Sequence, residues 1–136
     1  MTQAKVIWNK GKTASVVLSK LKEFTISENY DGKFLLRGWF NENNYFSFGE
    51  FEDFQEAKNF ALENICKHVK IAWNVEGNKC VVLSKLKEFT ISPQEYQRDM
   101  GYAVRGWYNQ VNKFSFGTFP SKEEAEAFLE KLHTSF

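Results

Sequence analysis

The sequence predicts an α+β protein made of a tandem repeat: two ββββα-like units, each an antiparallel sheet followed by one helix, packed as a pseudo-twofold dimer within one chain. Three observations predict it. Residues 16–27, VVLSKLKEFTIS, recur unchanged at 81–92. Apolar residues around these segments alternate with the period of two that is typical of strands. Each copy then ends in a segment with a helix-capping pair and helical spacing of apolar residues.

The repeat determines the domain organisation. Trp8 and Asn9 match Trp73 and Asn74 at an offset of 65, whereas RGWFNENNYFSFGEF at 37–51 matches RGWYNQVNKFSFGTF at 105–119 at an offset of 68. The second copy therefore has three extra residues in PQEYQRDMG, which predicts a surface loop there. We expect repeat 1 to span 1–67 and repeat 2 to span 68–136. A unit of this size buries little surface alone, so the two should share one continuous sheet or one core.

The strands follow from the alternation within each copy. In the first copy, the segments around 23–27, 34–40 and 45–48 alternate apolar with polar or outward residues, which predicts a three-stranded meander. Asn41 to Asn44 and Asn109 to Asn112 predict tight hairpin turns, because Asn tolerates the left-handed backbone that such turns require. Strands near Val6 to Trp8 and Val16 to Leu18 would complete a four- or five-stranded unit.

The helices are predicted at about 54–66 and about 122–133. Asp53 with Glu56, and Ser121 with Glu124, stand at the N-cap and N3 positions of a capping box. Apolar residues then recur on one face of each helix, and this face should cover the apolar side of the sheet. The residues of the two helix faces are Ala57, Phe60, Ala61 and Ile65, and Ala125, Phe128, Leu129 and Leu132; the sheet residues are Phe24, Ile26, Phe46 and Phe48.

Composition and motifs exclude several functional classes. The N-terminal residues lack the apolar run of a secretory signal, and no segment is apolar over the roughly 20 residues that span a bilayer, so a cytoplasmic protein without membrane contact is expected. Cys66 and Cys80 do not align between the copies and are expected to be free thiols. His68 and His133 have no partner at metal-ligand spacing, and no phosphate loop or nucleophile motif occurs. We expect no catalytic activity, no metal and no cofactor.

The distribution of charge indicates a working surface. Net charge is only +1 overall, but it is +4 over residues 1–41 and −5 over 42–66, and the second copy repeats this sense more weakly. Positive charge on the strand region can attract phosphates. Arg37, Trp39, Arg105 and Trp107 alternate with core positions and should point away from the helices, where indole and guanidinium groups could stack on bases and contact phosphates. Lys20, Lys22, Lys85 and Lys87 in the identical block are further candidates for phosphate contacts.

Two structural explanations compete with this interpretation. Each Trp could pack against the other copy with its Arg as support, because large exposed aromatic residues are unusual without a partner surface. The lysines could be solvated side chains that protect an edge strand from aggregation. Identity between the copies nevertheless includes polar and charged positions of the strands, whereas the helices have diverged. Shared polar residues suggest a surface used twice, although symmetric packing between the copies could impose the same constraint.

The segments GKFLLRGWFNENNYFSFGEFEDFQEAKNFA and GYAVRGWYNQVNKFSFGTFPSKEEAEAFLEKL resemble the DNA-binding modules of the AP2 and integrase-arm type, in which a three-stranded sheet is followed by a helix. This resemblance implies that the exposed sheet face enters the major groove and that Arg37, Trp39, Arg105 and Trp107 occupy DNA-contact positions. The layout of two ββββα units is also similar to the single-strand binders of the PC4, Whirly and PUR families.

The predicted function is therefore non-catalytic nucleic-acid binding through the basic and aromatic sheet surfaces of two repeats. The partner would be DNA or RNA. The alternative is a protein-interaction module, an inhibitor or adaptor, that binds another polypeptide through the same aromatic face. The protein itself could be a monomer, or a homodimer joined through the outward Trp residues. Salt dependence separates the first two functions, because phosphate contacts weaken steeply with ionic strength.

Overall fold

The computed structural model describes residues 5–93 and 101–134 and confirms the α+β class. These residues form ten strands in three antiparallel sheets, together with two α-helices. The strands are β1 Val6–Trp8, β2 Ser15–Val17, β3 Glu23–Glu28, β4 Phe34–Trp39, β5 Tyr45–Phe51, β6 Ile71–Trp73, β7 Lys79–Val82, β8 Glu88–Pro93, β9 Tyr102–Trp107 and β10 Lys113–Phe119. The helices are α1 Phe54–Asn64 and α2 Lys122–His133, and 3₁₀ turns at Leu18–Lys20 and Leu83–Lys85 lead into β3 and β8.

The helices begin where the capping pairs predict. The Asp53 side chain accepts a hydrogen bond from the Glu56 backbone N–H at 2.8 Å, and the Ser121 hydroxyl accepts one from the Glu124 N–H at 3.2 Å. Each bond satisfies an amide that has no partner within the helix. The α1 face predicted to be buried packs as expected: Ala57 and Ala61 are fully buried in a cluster that includes Phe24 and Phe48.

The two asparagine-rich turns differ from the sequence-based prediction. Asn41 Oδ1 accepts hydrogen bonds from the backbone N–H groups of Asn43 and Asn44. Asn109 Oδ1 likewise accepts from the backbone N–H groups of Val111 and Asn112. Lys12 is the one non-glycine residue with positive φ in the described part of the chain. The prediction of a left-handed backbone in these turns was therefore wrong. The Asn side chain closes each turn by accepting from the backbone, so a left-handed residue is not needed.

The strand order shows how the two halves of the chain meet. One sheet has the order β5-β4-β3-β7-β6, a second has the order β10-β9-β8, and β1 and β2 form a separate two-stranded sheet. The β6–β7 hairpin of the second half thus extends the sheet of the first half through β3. One face of this hairpin contributes Cys80 and Val82 to the first hydrophobic cluster, and the other face contributes Ala72 and Val81 to the second.

This pairing differs from the twofold docking expected from the sequence. A twofold arrangement would pair β2 with β8 as well as β7 with β3, but among the described residues β2 pairs only with β1 and β8 only with β9. A strand of the second half, β7, thus pairs with a strand of the first half, β3, and the reciprocal pairing of β2 with β8 is absent among the described residues. The repeat boundaries at 1–67 and 68–136 stay predictions. The predicted surface loop falls largely on residues 94–100, outside the described residues.

Neither α1 nor α2 has the length and apolar character needed to cross a membrane, and no other helix in the described parts of the chain does.

Candidate functional site

The candidate site residues lie on the sheet faces that the helices leave uncovered. In β4, Leu36 and Gly38 face the α1 core, so the alternating residues Arg37 and Trp39 face the other way. We call the surface formed by Thr25, Arg37, Trp39, Tyr45 and Ser47 the first outer face. The second outer face consists of Thr90, Arg105, Trp107, Lys113 and Ser115, in the corresponding positions of β8, β9 and β10.

The two indoles make the same hydrogen bond on both faces. Trp39 Nε1 donates a hydrogen bond to Thr25 Oγ1 at 2.9 Å, and Trp107 Nε1 donates one to Thr90 Oγ1 at 2.8 Å. Both Trp side chains are half-buried. Each hydrogen bond reaches diagonally to the neighbouring strand, so it fixes the ring along the sheet surface. The indoles are therefore oriented by the sheet itself and are not enclosed in either hydrophobic cluster.

The two arginines are held differently. The Arg37 guanidinium carbon lies 4.7 Å from the centre of the Tyr45 ring. The centres of the Tyr45 and Trp39 rings are 4.9 Å apart. Arg37 Nε is buried and has no hydrogen-bond partner among the described residues. Arg105 instead donates from a terminal nitrogen to the Ser92 hydroxyl at 3.0 Å. Both guanidinium groups thus lie on the sheet surface, where planar groups can stack on an aromatic ligand.

The four predicted lysines do not form one patch. Lys22 places its ammonium nitrogen 5.3 Å from the Tyr108 ring centre, and Lys85 donates to the Ser19 carbonyl oxygen at 2.7 Å, so these two bridge the halves of the chain. Lys87 lies beside Trp107 at the edge of the second outer face. Lys20 is exposed in a 3₁₀ turn, and no described contact brings it to either face.

The structure adds cations that sequence reasoning missed. Lys113 lies on the second outer face with its ammonium nitrogen 5.4 Å from the Trp107 ring centre. Strand alternation could have revealed it, because it occupies the position of Tyr45 in the aligned segments. Lys79 stands opposite Thr25 through the β3–β7 pairing, and so reaches the first outer face from the second half of the chain. No local sequence signal predicts that placement.

Carboxylates and a small cleft limit the first outer face on one side. Glu23 stands opposite Trp39, and the Tyr108 hydroxyl donates to its Oε2 at 2.6 Å. Burial raises the pKa of Glu23, although the bond from Tyr108 opposes this. Burial, and then the bond to Glu23, raise the pKa of Tyr108 well above its ordinary value. Beside this pair, Trp39 and Tyr108 line a cleft of about 60 Å³ between the halves of the chain. The alternative in which each Trp packs against the other copy stays a prediction.

Within residues 5–93 and 101–134, no three His, Cys, Asp or Glu side chains form a group that could hold a metal ion. Comparisons with known protein families, with curated proteins and with solved structures find no significant match to this chain.

Proposed function

We propose that this chain is a non-catalytic nucleic-acid-binding protein that uses the outer faces of two tandem repeat units. The observation that carries the proposal is an arrangement that occurs on both faces. An Arg and a Trp stand two positions apart on one strand, and the indole N–H donates a hydrogen bond to a Thr of the neighbouring strand. The arrangement is the same in both copies, although a residue beside each indole differs, Tyr45 on one face and Lys113 on the other.

The chemistry of each face suits a single strand. A base stacked on an indole or guanidinium plane contributes about 1–3 kcal/mol, and stacking requires a base that is not already paired in a duplex. Glu23 and Glu88 stand opposite the two Trp residues and repel phosphate. Bases would therefore stack on Trp39 and Trp107, and phosphates would lie against the cations of each face, away from these carboxylates.

Cations at the margins support the same arrangement. Lys79 and Lys113 each carry positive charge to one outer face, and Lys87 flanks Trp107. We assign phosphate contacts to these lysines and to Lys22, which lines the cleft beside Trp39. The predicted roles of Lys20 and Lys85 receive less support: Lys20 lies off both faces, and Lys85 is engaged with Ser19.

Fluorescence anisotropy of labelled single-stranded and duplex oligonucleotides, titrated at several salt concentrations, tests the proposal. The R37A/R105A variant should weaken binding to the single strand by roughly 10–100-fold, since it removes stacking and phosphate contacts from both faces. Its slope of log affinity against log salt should fall by about 1.4, because each phosphate contact contributes about 0.7 on single strands.

The matched control removes two exposed cations elsewhere. Lys67 and Lys70 lie in the connection between α1 and β6, so K67A/K70A changes net charge equally and should leave binding nearly unchanged. Equal losses in both double variants would mean unspecific charge attraction. Absence of oligonucleotide binding at low salt would remove the proposal and favour the alternative, in which the aromatic outer faces bind a polypeptide with weak dependence on salt.

A further inference from the structure

A cleft of the same composition lies beside the Trp of each outer face. Five residues line the second cleft, and the corresponding five residues of the first copy line the first cleft. They are Lys22, Glu23, Trp39, Asn41 and Glu42 in the first, and Lys87, Glu88, Trp107, Asn109 and Gln110 in the second. Four of the five residue types are the same in both copies, so the two clefts offer nearly the same chemical groups.

The backbone holds these groups in the same way in both copies. The Lys22 N–H donates to the Trp39 carbonyl oxygen at 2.8 Å, and the corresponding bond from the Lys87 N–H has the same length. Glu23 stands opposite Trp39 in the pairing of β3 with β4, and Glu88 has the corresponding place in β8. Residues directly opposite each other in an antiparallel pair have Cβ atoms about 4.5–5.5 Å apart. Each cleft therefore has a carboxylate beside an indole.

The second half of the chain narrows the first cleft. Tyr108, Asn112 and Lys113 also line it, and its volume is about 60 Å³, against about 360 Å³ for the second cleft. The Tyr108 hydroxyl donates to Glu23 Oε2, which holds this carboxylate in place. A carboxylate has roughly four lone-pair positions, and Tyr108 takes one of them, so both oxygens of Glu23 can still accept from a ligand.

The carboxylates match the hydrogen-bonding edge of one base. An ionised carboxylate only accepts hydrogen bonds, and its two oxygens can take two parallel N–H donors. Guanine presents two adjacent donors, its N1–H and its N2 amino group. Adenine and cytosine have a ring nitrogen lone pair beside the amino group, and this lone pair would face the second carboxylate oxygen. Thymine and uracil have a single N–H between two carbonyl groups.

We propose that each cleft binds one unpaired guanine, with the base against the indole and its N1–H and N2 amino group donating to Glu23 or Glu88. This assignment rests on the proposed binding of single strands and adds a base preference to it. Lys22 and Lys87 supply the donor for the guanine O6, an acceptor that lysine side chains recognise. An ammonium group has three donors, so the same lysines can also contact a phosphate.

One lysine borders both clefts. Lys113 lines the first cleft, and its ammonium nitrogen lies 5.4 Å from the centre of the Trp107 ring in the second. A phosphate between nucleotides in the two clefts would lie against this cation. The two guanines therefore belong to one continuous strand that crosses the joint between the halves of the chain.

Thymine strands that differ at one position test the base preference. Fluorescence anisotropy compares strands of about ten nucleotides in which one central thymine is kept or replaced by guanine, hypoxanthine, adenine or cytosine. Wild-type protein should bind the guanine strand roughly 5–100-fold more tightly than the thymine, adenine and cytosine strands. Hypoxanthine lacks the N2 amino group and keeps one of the two donors, so its strand should bind roughly 3–10-fold more weakly than the guanine strand.

The E23Q/E88Q variant tests the two carboxylates. Glutamine keeps the shape of the side chain and an oxygen for the Tyr108 hydroxyl, but it turns an amide N–H₂ toward the donors of guanine. The variant should bind the thymine strand at least as tightly as wild type and lose the preference for guanine. E28Q is the matched control, because it removes a carboxylate from β3 outside both clefts and should keep the preference.

The outcomes separate this assignment from the proposed function. Equal binding of all strands by wild-type protein would overturn the guanine assignment and leave nucleic-acid binding in place, and this comparison does not depend on the folding of any variant. A preference that persists in E23Q/E88Q, or that is also lost in E28Q, would overturn the assignment as well. Absence of binding to every strand at low salt would remove the proposed function and the assignment together.

Discussion

Gly38→Ala should destabilise the protein more than Gly106→Ala, even though the second alanine would make the closer contact. A Cβ at Gly38 would lie 2.8 Å from Leu21 Cδ1 and 3.0 Å from Phe48. A Cβ at Gly106 would lie 2.6 Å from Leu86 Cδ1. Each glycine also faces a fully buried ring, Phe48 or, at 3.1 Å from the Gly106 Cβ, Phe116. The two sites therefore differ in the leucine: Leu21 is 0% exposed and cannot yield, whereas Leu86 is partly exposed and can turn aside.

The magnitude follows from overpacking of a close-packed interior. We expect G38A to lower the free energy of unfolding by about 1–3 kcal/mol, and G106A by about 1 kcal/mol or less. For a chain of this size, the first change corresponds to a fall in Tm of roughly 3–10 °C. Denaturant unfolding followed by tryptophan fluorescence measures both. Gly11→Ala is the control, because its nearest atoms lie 4.0 Å away and its backbone is not left-handed, so it should shift stability by less than about 0.5 kcal/mol.

A double-mutant cycle identifies the cause of the loss. Leu21→Ala alone should cost about 2–5 kcal/mol, because it leaves a cavity in the first cluster. Combined with G38A it should cost less than the sum, because removal of the Cδ atoms relieves the overlap. Additive effects, or a larger loss from G106A than from G38A, would refute the explanation that buried leucine packing requires glycine in the RGW segments.

Three further predictions concern other contacts. Folding raises the pKa of Tyr108 above its ordinary value of 10, so the fold favours the neutral phenol; this stabilisation is present below pH 10 and is lost as pH rises above it. Tyr108→Phe should therefore show a smaller fall in unfolding free energy than wild type between about pH 9 and 11, and parallel curves would contradict the role of the Glu23 bond. Burial raises the pKa of the Cys80 thiol well above that of a free cysteine, so a thiol reagent should modify the half-buried Cys66 first and Cys80 only at the rate of opening of the β6–β7 hairpin; equal rates would mean that β7 is not docked on β3. Asp53→Ala should cost about 1 kcal/mol by leaving the Glu56 amide without its cap, while Asp53→Asn should cost much less in the same denaturation assay.

Local features were predictable because their causes lie within a few residues. The capping pairs placed the starts of both helices, and the alternation around the RGW segments predicted which side chains face away from them. The half-buried Trp39 and Trp107 lie on those faces, although the hydrogen bonds to Thr25 and Thr90 depend on strand register. The turn prediction failed because an Asn side chain can close a turn in two ways, and the sequence does not distinguish them.

The sequence by itself determined the α+β class, the elements and the side of each strand that is apolar, because these depend on short-range periodicity and capping. Tertiary structure decided which strands meet. The same twelve residues, VVLSKLKEFTIS, lead in one copy to a fully buried Phe24 beside β7 and in the other to a half-buried Phe89 on the outermost strand of its sheet among the described residues. Identical letters have identical local preferences, so their different burial arises from the neighbours that a distant part of the chain supplies. That long-range pairing also brings Lys79 to the first outer face and Tyr108 to Glu23.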